Sequence, residues 1–121
     1  MQPGYSIFAG TMADMTYPEL EAAVHEGAAV LWALGVIEQH GPHLPLATDV
    51  YVPCAVLARA RELLRERGVP AVIAPPFYWG VNNVTGSFPG SFTVRPDTMK
   101  PPSAASGTAI AMNSSTGLAA R

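Results

Sequence analysis

The chain has 121 residues, the size of one ordinary domain, and 49% of them are hydrophobic, which is enough to form a core. Its net charge of -2 and its low content of charged residues, 13%, give no electrostatic basis for binding nucleic acid or a membrane surface. Its one cysteine, Cys54, excludes an internal disulfide and a cysteine-based zinc finger.

The first predicted elements are a capped helix and a buried strand. In TYPELEAAVHEG, Thr16 and Glu19 form a capping box, and Gly27 suits the end of the helix. AAVLWALGVI is a continuous apolar run bounded by a glycine and a polar loop. Such a run is typical of a strand buried on both faces in a parallel sheet, which would place Trp32 in the core.

A second helix and a second strand follow. Between Asp49 and Gly68, apolar residues recur at three- and four-residue spacing, which predicts an amphipathic helix. VPAVIAPPF then predicts a strand that ends at Pro75 and Pro76. Strand, helix and strand of this length form a βαβ unit, so the sequence predicts an α/β fold with a parallel sheet and a right-handed crossover.

The last part of the chain predicts a loop and a tail. YWGVNNVTGSFPGSFTVRPDTM is interpreted as a long loop, a short strand at 91–94 and the start of a helix at RPDTM. After Lys100 the composition changes to mostly small and polar residues, as in a linker or a disordered tail. We therefore expect one domain part at 1–100 and a low-complexity tail at 101–121. The N-terminus lacks the basic region of a signal peptide, and we expect a cytoplasmic location.

The loop IEQHGPHLPLATD collects ionisable groups between the first strand and the second helix. Glu38 and His40 are two positions apart, so on an extended strand end they point to the same side. Asp49 begins the next helix at the carboxyl edge of the sheet, where open α/β folds bind their ligands. Two carboxylates and an imidazole suit Zn²⁺ or Mn²⁺. From spacing alone, the alternative stays open that Asp49 only caps the helix and that the histidines make loop hydrogen bonds.

Two motifs resemble those of the creatininase (creatinine amidohydrolase) family. GVIEQHGPHLPLATD is similar to its first metal-binding motif, and FPGSFTVRP, after YWGVNN, is similar to its second signature. The resemblance covers residues 10–99 and implies a three-layer α/β/α sandwich with a mostly parallel sheet, here truncated. It also implies two divalent ions, Zn²⁺ or Mn²⁺, one bound by Glu38, the other by His40, and both by Asp49. His43 would support the loop or the ligands without binding an ion itself.

The resemblance also implies an activity. Members of the family hydrolyse C–N bonds of small amides such as creatinine, or of peptides, and we expect the full-length proteins to be homo-oligomers. Residues after the second strand could line the substrate side, with ordinary loop packing as the competing interpretation. These candidates are Trp79, Asn82, Asn83, Ser87 and Ser91.

The chain also departs from the family pattern. The family's other histidine and glutamate ligands have no counterpart, because the last histidine is His43 and the last acidic residue is Asp97. We expect an N-terminal part of a creatininase-like protein whose coding frame changes near Lys100, with an uncovered sheet edge. Three hypotheses stay open: an incomplete amidohydrolase, a non-enzymatic metal-binding or subunit-associating fragment, and a translation product without function.

Overall fold

The computed structural model describes residues 6–99, and the tail predicted at 101–121 lies outside the described residues. A short 3-10 turn, Met12–Asp14, precedes the main elements. These are helix α1 (Tyr17–His25), strand β1 (Ala29–Leu34), helix α2 (Thr48–Glu66), strand β2 (Ala71–Phe77) and the helical turn α3 (Pro96–Met99). The helix start predicted at RPDTM corresponds to α3.

Helix α1 forms where its local signals predict. The Glu19 carboxylate accepts hydrogen bonds from the backbone N–H of Thr16 at 2.6 Å and from its hydroxyl at 2.7 Å. These bonds tie the first turn to the residue before it. They also lower the pKa of Glu19, because both donors stabilise the charged carboxylate. Gly27 follows the helix with a φ of 72°, a left-handed conformation that glycine adopts without strain.

The two strands form a parallel pair joined by α2, as the sequence predicts. Ala29 lies opposite Ala71, and Trp32 lies opposite Ala74. Helix α2 packs against both strands. The α/β class is therefore confirmed, with a two-stranded sheet in the part of the chain that the structure describes.

The predicted end of the second strand is wrong. Pro75 and Pro76 lie inside β2, which continues to Phe77. The pairing shifts register between Trp32 and Leu34, next to the two prolines. Proline cannot donate to a ladder, but it is tolerated where pairing is irregular. Its carbonyl can still accept, and the Trp32 indole N–H donates to Pro75 O at 3.0 Å.

The predicted burial of the first strand on both faces is also wrong. Within the described residues the side chains of Val30, Trp32 and Leu34, which share one face, are 47%, 43% and 59% exposed. Trp32 is therefore not a core residue here. The physical reason is that one face of the strand pair is not covered by a helix. Between residues 6 and 99, α2 is the one long helix that packs on these strands. The buried apolar core is small and consists of Ala33, Val50, Val72, Ile73 and Ala74.

The strand predicted at 91–94 is not present as a strand. The segment makes isolated backbone hydrogen bonds instead. Phe92 N–H donates to Ile37 O, and Val94 N–H donates to Gly80 O, each at 2.9 Å. A ladder does not form because these two bonds join the segment to two different loops. Among the described residues, no helix has both the length and the apolar character needed to cross a membrane.

Candidate metal centre

The loop after β1 starts with a close approach between a strand and a helix. A side chain at Gly35 would press its Cβ against the Asp49 carbonyl oxygen and come within 2.7 Å of the carbonyl carbon. Contacts this short do not occur between unbonded carbon atoms, so only glycine fits. This absence of a side chain allows the first turn of α2, and with it Asp49, to rest on the end of β1.

The loop is then closed by one backbone hydrogen bond and two local bonds that involve side chains. Glu38 N–H donates to Leu46 O at 3.0 Å, which joins the two ends of the loop. Gly41 N–H donates to the Gln39 side-chain oxygen at 2.9 Å, and the Thr48 hydroxyl donates to Pro45 O at 2.6 Å. The loop is thus a closed turn whose first and last residues carry the ionisable groups.

Glu38, His40 and Asp49 converge as the sequence predicts. One ligand atom from each side chain lies within 4.8 Å of the other two. His40 Nε2 is 2.9 Å from Asp49 Oδ1, and the two side chains are 20% and 41% exposed. The three residues are all partly exposed, as a binding site requires, and they combine two carboxylates with one imidazole.

The hydrogen bonds of His40 determine which nitrogen faces the cluster. Nδ1 is 3.1 Å from the backbone oxygen of Glu38, which can only accept, so Nδ1 carries a hydrogen. In the neutral ring, Nε2 then presents its lone pair to the Asp49 carboxylate. Two acceptors at 2.9 Å repel each other unless a proton or a cation lies between them. The cluster is therefore stabilised when Nε2 is protonated or when a cation binds Nε2 and the Asp49 carboxylate.

Electrostatics support the same conclusion. The hydrogen bond to the Glu38 carbonyl is the largest cause of a raised pKa of His40, and the hydrogen bond to the Asp49 carboxylate is the second. Both favour the protonated ring in the metal-free chain. A Zn²⁺ or Mn²⁺ ion fits this donor set, since both ions accept imidazole nitrogen and carboxylate oxygen.

Glu38 has a partner that the sequence analysis missed. The Thr85 hydroxyl donates to Glu38 Oε2 at 2.5 Å. Thr85 in turn accepts a hydrogen bond from the Asn82 side chain at 2.6 Å. No local signal identifies Thr85, because it lies 47 positions from Glu38 and within a loop without periodic structure. The nearest signal is the FPGS turn, which contacts the loop at 37–49, hereafter the metal loop.

Comparison with known proteins identifies the family. A family model described as creatininase, creatinine amidohydrolase, matches residues 13–106. The chain belongs to the creatininase family. The resemblance inferred from the two motifs is thereby confirmed.

Two curated relatives illustrate how creatininase-family proteins differ in substrate. The mycofactocin precursor peptide peptidase of Mycolicibacterium smegmatis (strain ATCC 700084 / mc(2)155) is 41% identical over 69 residues, 54% of this chain and 27% of the relative. The creatinine amidohydrolase of Pseudomonas putida is 34% identical over 92 residues, 71% of this chain and 32% of the relative. The chain thus spans about a third or less of the length of each relative.

Solved creatininase structures share the fold. A creatininase in a manganese form matches with a TM-score of 0.65 and 27% identity, over 74% of this chain and 35% of that chain. A mutant creatininase of Zn-Zn type matches with a TM-score of 0.63 and 28% identity, over 78% of this chain and 36% of that one. The divalent ions named for these two proteins are those that suit the donor set of Glu38, His40 and Asp49.

The second creatininase signature lies directly against the metal loop. Gly90 has a φ of 81°, and a Cβ there would lie 2.5 Å from Leu46 Cδ1, so glycine allows the turn to touch the loop. Ser91 Oγ accepts from Gln39 N–H at 3.3 Å, beside both Glu38 and His40. The signature therefore packs against the metal loop and contacts it through Gly90 and Ser91.

The remaining predicted site residues differ in whether hydrogen bonds connect them to the loop at 37–49. Asn82 and Ser91 connect to the ligand loop through hydrogen bonds. Trp79 packs between Tyr78 and Phe92, with ring centroids 5.2 and 5.6 Å away, and stays 45% exposed.

Asn83 and Ser87 are exposed, and their side chains make no hydrogen bond to the cluster within the described range. The same holds for His43, whose ring lies over Gly41. The substrate roles of the five loop residues and the supporting role of His43 stay predictions.

Proposed function

We propose that this chain carries the first half of the metal site of a creatininase-family hydrolase that cleaves the C–N bond of an amide. The observation that carries the proposal is the convergence of Glu38, His40 and Asp49 within 4.8 Å of one another. The orientation of the His40 ring supports it, because Nδ1 is engaged by the Glu38 carbonyl and Nε2 is the nitrogen directed toward the Asp49 carboxylate.

The three ligands have different roles in this proposal. His40 would hold one Zn²⁺ or Mn²⁺ ion through Nε2, Glu38 would hold a second ion, and Asp49 would be shared by both. Asp49 suits the bridge because it stands at the start of α2 and already contacts His40. A pair of such ions supplies Lewis acidity and a water molecule of lowered pKa for attack on a carbonyl carbon. Substrate-side roles for Trp79 and Ser91 belong to the same proposal.

The substrate is an amide of one of two classes. A small or cyclic amide of the creatinine type is supported by the similarity to the Pseudomonas putida creatinine amidohydrolase. A peptide is the second candidate, supported by the higher identity, 41%, to a precursor peptide peptidase. The domain organisation in the proposal is a creatininase-like part at 1–100 followed by a separate tail at 101–121, in a cytoplasmic protein.

The deciding experiment measures metal content. The purified full chain is compared with Asp49→Ala and with the control Asp97→Ala, which removes an exposed carboxylate on α3. We expect about one ion or more per parent chain, loss of the ion in Asp49→Ala and retention in Asp97→Ala. A folded parent without bound metal, or equal metal in both variants, would contradict the proposal.

Activity is tested on the same samples. Creatinine and a short peptide are incubated with the chain loaded with Zn²⁺ or Mn²⁺, and turnover is compared with that of Asp49→Ala. Turnover of one substrate class by the parent alone would select that class. Metal binding without turnover of either class would instead favour a non-enzymatic metal-binding or subunit-associating protein.

A further inference from the structure

Asn82 and Thr85 are the buried polar residues of the described region. Asn82 is 6% and Thr85 is 9% exposed, although both lie in a loop whose other residues are mostly exposed. Burying polar side chains is unfavourable unless their hydrogen bonds are made. Their burial is therefore tolerated because both side chains have hydrogen-bond partners.

The hydrogen bonds between the two residues can run in only one direction. Thr85 N–H donates to Asn82 Oδ1 at 3.2 Å, so the amide oxygen faces the backbone and the amide nitrogen faces the Thr85 hydroxyl. A flipped amide would put two donors together at the backbone. The amide nitrogen only donates, so the Thr85 oxygen accepts from it and turns its own hydrogen toward Glu38 Oε2.

Asn82 is itself held by the neighbouring segment. Its backbone N–H donates to Thr93 Oγ1 at 3.1 Å. The chain at 91–94 also bonds to the metal loop through Phe92 and Ile37. Asn82 and Thr85 are thus connected to the loop that carries Glu38. The direction of the Thr85 hydroxyl is fixed by these hydrogen bonds without a bound ion.

We propose that Thr85, oriented by Asn82, is the positioning residue that makes Glu38 a one-oxygen metal ligand. The hydroxyl occupies Oε2, and among residues 6–99 no hydrogen bond reaches Oε1, which is left for the ion. Partners of this kind fix the orientation of a ligand, and their removal typically weakens metal binding about 10–100-fold. This inference rests on the metal site proposed above.

The test compares metal affinities of the full chain and three variants. Thr85→Val removes the hydroxyl and keeps the shape, Thr85→Ser keeps the hydroxyl, and Thr11→Val removes a different hydroxyl hydrogen bond, to Phe8 O at 2.8 Å. Mn²⁺ binding is read from the EPR signal of the free aqueous ion, and Zn²⁺ binding from competition with a chromophoric chelator. Circular dichroism and urea unfolding check that each variant folds.

We expect Thr85→Val to bind both ions about 10–100-fold more weakly, and Thr85→Ser and Thr11→Val to bind them like the parent. Equal affinity in Thr85→Val and the parent would overturn the role of Thr85 and leave the metal site standing. Equal losses in Thr85→Val and Thr85→Ser would also overturn it, since packing and not the hydroxyl would be responsible.

Two further outcomes are also informative. If the folded parent binds neither ion, the metal site itself is wrong, and the role of Thr85 falls with it. If Thr85→Val does not fold, Asn82→Ala is measured in its place, because it leaves the hydroxyl present and removes the amide that orients it. Weaker metal binding by Asn82→Ala supports the proposal, and unchanged binding overturns it.

Discussion

Gly35 is the residue whose substitution tests most directly how the fold places Asp49. In Gly35→Ala, the new Cβ would lie against the Asp49 carbonyl oxygen and 2.7 Å from its carbon. Carbon atoms pack at about 3.5 Å or more, so the start of α2 and the end of β1 must separate by roughly 0.8 Å. Overpacking of this kind costs about 1–3 kcal/mol of unfolding free energy.

The same displacement acts on the metal site. The contact of 2.9 Å between His40 Nε2 and Asp49 Oδ1 would lengthen by a similar amount, because Asp49 moves with α2 while His40 stays on the loop. We expect metal affinity to fall on the order of 10–100-fold, as for other changes that misplace a ligand. Urea unfolding gives the first effect, and Mn²⁺ titration gives the second.

The matched control is Gly27→Ala. Gly27 has a φ of 72°, and beyond its chain neighbours no atom of the described residues lies within 4 Å of the position that a Cβ would occupy. Alanine there adds conformational strain without a clash. It should lower stability by about 1–2 kcal/mol and leave metal affinity unchanged. The reasoning is refuted if Gly35→Ala keeps its metal affinity, or if Gly27→Ala loses as much of it.

Two shorter predictions concern charge and capping. In the metal-free chain, NMR should show a His40 pKa above 6.5, and Asp49→Asn should lower that pKa. Because the pKa is raised in the folded state, protonation of His40 stabilises the fold below about pH 6.5. This stabilisation is lost as the pH rises through the folded-state pKa. A His40 pKa at or below 6.5 would contradict the hydrogen-bond assignment. Thr16→Ala should lower the unfolding free energy by about 1 kcal/mol, with Thr16→Ser close to the parent, because the hydroxyl bond to Glu19 is lost only in the first. Equal stability of the two variants would show that the cap contributes nothing.

The elements that the sequence predicts correctly are those that local interactions determine. The Thr16 and Glu19 cap, the amphipathic pattern of α2 and the glycines after α1 and α2 act over a few residues. The convergence of Glu38, His40 and Asp49 was also predictable, because the three residues lie within one stretch between a strand and the first turn of a helix.

The predictions that are wrong depend on parts of the chain far apart in sequence. Whether β2 stops at Pro75 depends on its pairing with β1, where a register shift accommodates the prolines. Whether Trp32 is buried depends on which element covers its face of the sheet. Whether 91–94 forms a strand depends on which loops lie beside it. Periodicity and composition carry none of this information.

The surroundings of Glu38 combine local and long-range contacts in one site. The three candidate ligands come from a single loop, and on the proposed function a short segment alone would supply them. However, the Glu38 carboxylate accepts a hydrogen bond from Thr85, 47 positions away, and the Thr85 hydroxyl accepts one from the Asn82 side chain. Asn82 depends in turn on Thr93, in the segment that also bonds to the metal loop. A peptide covering only residues 37–49 would therefore keep Glu38, His40 and Asp49 but lose the hydrogen bond from Thr85 to Glu38. If the proposed role of Thr85 is correct, such a peptide should bind Zn²⁺ or Mn²⁺ more weakly than the full chain.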